Sequence, residues 1–334
     1  MSKRIIVTGG AGFISSNLVL HLLAKYPDYH ILNLDKLSYA SDLSFLDGEK
    51  ENPHYQFAQV DIVDRAKVRE IIREFKPDGI IHLAAESHVD NSISGPEPFF
   101  YSNVIGTFNL AEEFRHWWLD NNKPEHFRFH HVSTDEVYGS LGAEGFFTEE
   151  TPYAPNSPYS ASKAGSDFVV RSYFHTYHMN LVVTNCSNNY GPHQHDEKLI
   201  PTVIRNAFKH NKIPIYGKGD NIRDWLFVTD HCRAIDEVFH RGRSGEHYNV
   251  GGHNEWTNLD LVHLLCDVMN DVVGKGPNGD YKNLISFVTD RPGHDLRYAI
   301  DPSKIENELG WKNTQDFMAD IKTTVKWYID RYSK

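Results

Sequence analysis

The first half of the chain alternates between two hydrophobic periods. Short runs rich in β-branched and aliphatic residues stand at "RIIVT" (4–8), "HILNLD" (30–35), "QFAQV" (56–60), "GIIHLA" (79–84), "RFHHVS" (128–133) and "LVVTNC" (181–186), and these predict strands. Between them, near 13–25, 64–75, 98–120 and 159–178, apolar positions recur at helical spacing. Strands alternating with helices imply right-handed crossovers and a parallel sheet covered on both faces. The expected class is α/β, a doubly wound parallel sheet of the Rossmann type, over residues 1–186.

After about residue 187 the pattern loosens. "NNYGPHQHDEK", "YGKGDNIRD" and "VGGHNEW" are rich in turn residues, with helical patterns near 198–210, 230–242 and 257–272 and a final amphipathic "IKTTVKWYIDRY". This predicts a smaller, more irregular C-terminal domain over 187–334. Within 225–250, "LFVTDHCRAIDEVF" is expected to return a strand and a helix to the main sheet. The aromatic "FRHWWLD" reads as a packing face.

Composition narrows the partners. Of 334 residues, 40% are hydrophobic and 24% charged, an ordinary globular mixture with room for about two domains. A formal charge of −11 with no basic block argues against nucleic acid and against anionic membrane. No run approaches the roughly 18 apolar residues of a membrane span. Cys186, Cys232 and Cys266 are scattered, without a C-x-x-C pair, as suits reduced thiols in a cytoplasmic protein.

Candidate chemistry begins at "VTGGAGFIS", which follows the first strand and opens the first helix. Gly9 and Gly12 permit a tight turn and let the backbone approach a pyrophosphate seated on the positive helix end. The usual third glycine is Ser15, which predicts a slightly displaced helix rather than loss of the cofactor. Asp35 closes the second strand, where an acid accepts the ribose 2′-hydroxyl of NAD and repels the 2′-phosphate of NADP. NAD is therefore the expected cofactor.

Two further patterns carry a reaction. In "SPYSASKAG", Tyr159 and Lys163 stand four apart on one helical face, so an ammonium and the nicotinamide ring are expected to lower the phenol's pKa. In "STDEVYG", Asp135 and Glu136 are adjacent acids directly after a buried strand, an arrangement that packing does not need. His82, His88, His130 and His131 invite a metal reading. However, none forms a ligand pair at helical spacing, and His130 and His131 point to opposite faces of a strand, so no metal site is expected.

"TGGAGFI", "HLAAESHVD", "STDEVYG", "YSASKA", "TNCSNNYGP", "KLIP", "PIYGKGDNIRDWL", "YNVGGHNE" and "DRPGHDLRYAID" together resemble an extended short-chain dehydrogenase/reductase of the dTDP-glucose 4,6-dehydratase family, from residue 8 to 301. The resemblance implies that Tyr159 takes the O4 proton, Thr134 bonds the substrate near O4, Glu136 is the base at C5 and Asp135 the acid at the C6 hydroxyl. Related 4-epimerases usually carry small or apolar residues at the two acid positions. It also implies that Phe13, Ile14, Lys36, Leu37, Ser38, Asp61, Ile62, Leu83, Ala84, Ala85, Ser102 and Asn188 line the cofactor. Ser87, Asn188, Lys198, Leu199, Pro214, Tyr216, Arg223, Asn258 and the stretch Asp290 to His294 would hold the nucleotide sugar. A homodimer is implied, with the "FRHWWLD" helix in its interface. The alternatives are a UDP-glucose substrate, a 4-epimerase or UDP-glucuronate decarboxylase, and a non-catalytic NAD sensor. Thymine and uracil differ by one methyl, worth only ~1–3 kcal/mol in a pocket, which leaves the base open.

Overall fold

A computed structural model describes residues 2–277, 279–290, 292–313 and 316–334. Six strands arise in the first half: β1 (Arg4–Thr8), β2 (His30–Asp35), β3 (Tyr55–Gln59), β4 (Gly79–His82), β5 (Arg128–Thr134) and β6 (Leu181–Cys186). Then follow β7 (Asn188–Tyr190), β8 (Ile213–Tyr216), β9 (Ile222–Phe227), β10 (His247–Val250), β11 (Glu255–Thr257), β12 (Ile285–Val288) and β13 (Arg297–Tyr298). The main sheet has seven strands in the order β10-β6-β5-β4-β1-β2-β3, every neighbouring pair parallel. Its central strands are buried on both faces, as a parallel sheet under crossover helices requires.

The order of the strands locates the site. From β1 the chain runs one way to β2 and β3, then jumps back to β4 and runs the other way. A crevice opens beyond the carboxyl ends of β1 and β4, where no crossover covers the sheet edge. Helix α1 (Phe13–Lys25) leaves the glycine turn on one side of that crevice. The helix Pro158–Tyr177 crosses its far side, started by Ser157 and Ser160 in a reciprocal capping pair with Pro158 at its first position.

A second, smaller sheet is built on β9, which pairs with β7, β11 and β13, while β8 and β12 form a separate parallel pair. A distinct core joins Ile200, Ile204, Ile213, Trp225, Leu265, Met269 and Val325 beneath this region. Here the structure departs from the reading of "LFVTDHCRAIDEVF". Its helix, Val228–Arg241, does pack on the main sheet, with Val228, Cys232, Ile235 and Phe239 against Ile5, Val7 and Leu18. Its strand, β9, stays in the smaller sheet, and the next strand, β10, reaches the main sheet beside β6. A run buried along nearly its whole length fits either sheet, so periodicity could not choose between them.

The stretch 98–120 is also not one uniform helix. Glu97–Phe99 is a single turn, Phe100–Ile105 is wound as a π-helix, and Gly106–Asp120 is α-helical. In that last helix Phe114 and Trp118 are buried, and the Trp117 indole donates to Pro77 O at 3.0 Å. Among the described residues no helix is long and apolar enough to cross a membrane.

Candidate active site

The crevice is a cavity of about 300 Å³. Its floor is the glycine turn. Gly9 has φ +69°, and a Cβ there would lie 2.8 Å from Ala84 Cα; a Cβ on Gly12 would lie 3.0 Å from Gly9 O. Helix α1 has no side-chain cap and no acid in its first turn, so its positive end is left for an anion. That cradle fits a dinucleotide pyrophosphate. Ser15, at the third glycine's place, is buried and lines the same cavity.

Asp35 lies at the end of β2 with its carboxylate held from three directions. It accepts from Ala11 N at 3.1 Å, Leu37 N at 2.7 Å and Ser41 Oγ at 3.0 Å. Leu37 adopts a left-handed backbone (φ 60°) to make its bond, and it supports Asp35 without itself lining the cavity. Phe13, Ile14, Lys36, Ser38, Asp61, Ile62, Leu83, Ala84, Ala85, Ser102 and Asn188 all line the cavity with Gly9, Gly12 and Asp35. Lys36 also pairs with Glu86 at 2.7 Å.

At the end of β5 the backbone turns through a short 3₁₀ segment, Asp135–Tyr138, capped by the Thr134 hydroxyl, which accepts from Glu136 N at 3.3 Å. The turn directs both acids into the cavity, where they meet Thr134, Tyr159 and Lys163. Asp135 is only 2% exposed, and among the described residues its Oδ2 has no hydrogen-bond partner. Burial pushes its carboxyl well above the ordinary range, helped by the charges of Glu136 and Asp224 and opposed by Arg223 and a Thr134 hydrogen bond. Burial thus favours the protonated carboxyl, the form that can give a proton away.

Tyr159 is nearly buried, with its phenol close to the Thr134 hydroxyl. Burial, followed by the charge of Glu136, raises the phenol's pKa. Lys163 is not among the main causes of this shift, and the nicotinamide ring, the other group expected to lower it, acts only with NAD bound. Lys163 lies on the same helix face but donates its ammonium to Val132 O at 3.0 Å. Desolvation and a facing carboxylate outweigh a cation whose hydrogen bond goes elsewhere.

The expected substrate contacts divide in two. Ser87, Asn188 and Lys198 line the cavity, whereas Leu199, Pro214, Tyr216, Arg223, Asn258, Asp290 and His294 do not. Several of these form a second group around β8, β9 and the segment after β12. His294 binds Asp290 at 2.7 Å, and a Cβ on Gly217, next to Tyr216, would lie 2.8 Å from that same Asp290. Arg223 is buried, stacked 4.2 Å over Tyr298, and donates to the carbonyls of Ile222, Asp295 and Leu296. Its charge nevertheless acts on Asp135, which ties the group to the acids. Arg291, inside the stretch 290–294, lies outside the described residues.

The histidines are engaged in the core. His82 bonds Thr8 and Thr107, His130 bonds Thr184, and His131 bonds Ser166 and Asp167. His88 accepts from Asn91 N and starts a short helix.

The sequence profile of the GDP-mannose 4,6 dehydratase family matches residues 6–324. The chain belongs to that family. A dTDP-glucose 4,6-dehydratase of Neisseria gonorrhoeae is 50% identical over 337 residues, covering 99% of this chain and 97% of the relative. A crystal structure of the Bacillus anthracis dTDP-glucose 4,6-dehydratase in complex with NAD superposes with TM-score 0.87 at 45% identity, covering 99% and 98% of the two chains. The Streptomyces venezuelae enzyme of the same name, solved with NAD and dTDP bound, gives TM-score 0.90 at 43% identity over 99% and 98%.

Two buried carboxylates near the acids escaped the sequence reading. Asp224 is 2% exposed, accepts from Gly252 N and Asn254 N, and acts on Asp135. Its only signal was a charge inside the apolar strand "IRDWLF". Asp167 lies one helical turn beyond Lys163, and its signal was the same spacing that pairs Lys163 with Tyr159.

Proposed function

We infer that the chain is an NAD-dependent dTDP-glucose 4,6-dehydratase, converting dTDP-glucose to dTDP-4-keto-6-deoxyglucose. The observation that carries this reading is the pair Asp135 and Glu136, with Asp135 buried, converging with Tyr159 on one cavity. An epimerase has no use for a proton donor beside a base. Residues 1–186, with the helix and strand of 228–250 returning to them, hold the cofactor, and the rest of 187–334 holds the nucleotide sugar. NAD, when bound, accepts hydride from C4 and returns it at C6, and its positive ring adds what the phenol lacks.

The residues supply the proton chemistry. Tyr159 takes the proton from the sugar O4, and Thr134, beside the phenol, orients that oxygen. Lys163 contributes a fixed positive charge beneath them. The 4-ketone so formed acidifies the C5 hydrogen, which Glu136 removes. Asp135 donates its proton to the C6 hydroxyl, which leaves as water. Glu136 then returns a proton to C5. Two carboxyls with unlike surroundings thus act as acid and base in one cavity.

The diphosphate calls for a guanidinium, and Arg223, with Lys198 at the cavity rim, is the candidate. Leu199, Pro214, Tyr216, Asn258, Asp290 and His294 surround the remainder of the nucleotide. A homodimer belongs to the same reading. Phe100, Tyr101, Ile105, Phe168 and Tyr177 are exposed on or beside the helices Gly106–Asp120 and Pro158–Tyr177, which pack together. Three buried free thiols suit a cytoplasmic setting.

Incubation of the purified protein with dTDP-glucose and with UDP-glucose tests the reading. It predicts keto-sugar from dTDP-glucose at the higher kcat/KM, with no 4-epimer. Faster turnover of UDP-glucose would reassign the base, and a galactose product would make the protein an epimerase.

A further inference from the structure

Lys163 is a cation placed where a cation is costly. It is 4% exposed, it sits among strands β4, β5 and β6, and it has one carbonyl, Val132 O, as hydrogen-bond partner. Burial favours its neutral amine. As an amine it would do nothing for the phenol of Tyr159. Something nearby has to hold the proton on it.

The titratable groups acting on Lys163 or acted on by it are few. His82 on β4 and His131 on β5 are fully buried, and burial drives both well below the ordinary imidazole range, so they are neutral. Cys186 on β6 is pushed up to about 12 by burial and is a neutral thiol. From the turn after β5, Glu136 acts on Tyr159, and Asp135 holds its proton. Asp167, one turn further along the same helix and 4% exposed, is left.

Its hydrogen bonds are those of a carboxylate. Ser133 Oγ and Tyr153 Oη each donate to Oδ2 at 2.9 Å, and Asn185 Nδ2 approaches it at 3.4 Å. On the other oxygen, His131 Nε2 lies 3.0 Å from Asp167 Oδ1 and 3.0 Å from Ser166 Oγ. The Ser166 proton is already given to Lys163 O at 2.6 Å, so Ser166 can only accept. His131 Nε2 therefore carries the hydrogen, and Asp167 accepts at both oxygens. Burial raises this carboxyl, while the Lys163 charge and the donors from Ser133, Tyr153 and Asn185 pull it back.

We propose that Asp167 is a positioning residue for the oxidation step, a buried anion that keeps Lys163 an ammonium beside Tyr159. This rests on the dehydratase reading and names a charge on which its first step depends. Asp167 does not line the cavity. It acts through Lys163, and its four donors fix both its place and its charge.

The test is the pH profile of the first oxidation, followed as reduced nicotinamide formed after mixing holoenzyme with dTDP-glucose. In Asp167→Asn the basic limb, where Lys163 loses its proton, should move to lower pH by about one unit or more. Above neutrality the rate should then fall about tenfold for each unit moved. Asp167→Glu restores the charge and should restore the limb. Tyr153→Phe removes one of the four donors but leaves the charge, and should move the limb less than Asp167→Asn does. A limb unmoved in Asp167→Asn, or moved equally in Tyr153→Phe, overturns the proposal. Heteronuclear NMR of the lysine ammonium in the unsubstituted holoenzyme keeps the question open to test if Asp167→Asn does not fold. A neutral Lys163 at neutral pH overturns the proposal as well. Unsubstituted protein that makes no keto-sugar would instead sink the underlying reading.

Discussion

Asp35 and Asp135 occupy equivalent places in the fold. Each stands at the carboxyl end of a parallel strand of one sheet, with β1 and β4 between them, and each is nearly buried. Their surroundings differ completely. Asp35 receives two backbone amides and a serine hydroxyl, whereas Asp135 has an oxygen with no partner and a second acid beside it. The first arrangement fixes an anion that can only accept. The second keeps a proton on a carboxyl that can then donate. Position in the fold brings both to the crevice, and the local donor count decides which is a binding group and which is an acid.

Replacing each residue should therefore fail differently. Asp135→Asn keeps the shape and removes the donor, so turnover should fall by ~10²–10⁴-fold with NAD content unchanged. Equal loss of bound NAD would erase the distinction between the two aspartates. Asp35→Ala removes an acceptor of charged hydrogen bonds worth about 1.5–3 kcal/mol, so NAD affinity should drop roughly 10–100-fold by calorimetric titration. A variant that gains NADP affinity while keeping NAD would show that Asp35 only excludes.

The smallest effect is on stability and has opposite signs at the two sites. The folded pKa of Asp135 lies above its unfolded value. The stability linked to that proton is complete below the unfolded pKa and is lost as pH rises toward the folded one. Asp135→Asn does not titrate, so its melting temperature should exceed that of the unsubstituted protein increasingly as pH rises, by about 2–4 °C per kcal/mol. Asp35→Ala should melt lower, because it strips the turn after β2 of its anchor. Thermal scans across pH would expose any failure of this sign difference.

Most of the cofactor side was legible in the chain. Gly9, Gly12 and Asp35 lie within the first two strands and their turns, and local spacing suffices to bring such residues together. Six strands and the helices between them were likewise local patterns, with ends that differ by one or two residues. The substrate side was harder. Arg223 approaches Asp135 through the pairing of β9 with β7, β11 and β13, and no local period encodes which sheet a fully buried strand joins. The π-wound turn at Phe100–Ile105 and the role of Asp167 were hidden for a related reason. Both depend on what packs against a helix, whereas the sequence displays only the helix itself. Spacing places Lys163 on the right face but does not show its ammonium bonded to Val132 O, with burial and Glu136 the main influences on the phenol.

The central claim is that "STDEVYG" divides the labour, with oxidation at Tyr159 and elimination at Asp135 and Glu136. Rapid mixing of Asp135→Asn holoenzyme with dTDP-glucose, watching reduced nicotinamide and keto-deoxysugar in the same reaction, tests it most directly. Reduced nicotinamide should form at close to the unsubstituted rate and accumulate on the enzyme while product lags far behind. Product at the unsubstituted rate, or no reduced nicotinamide at all, would contradict it.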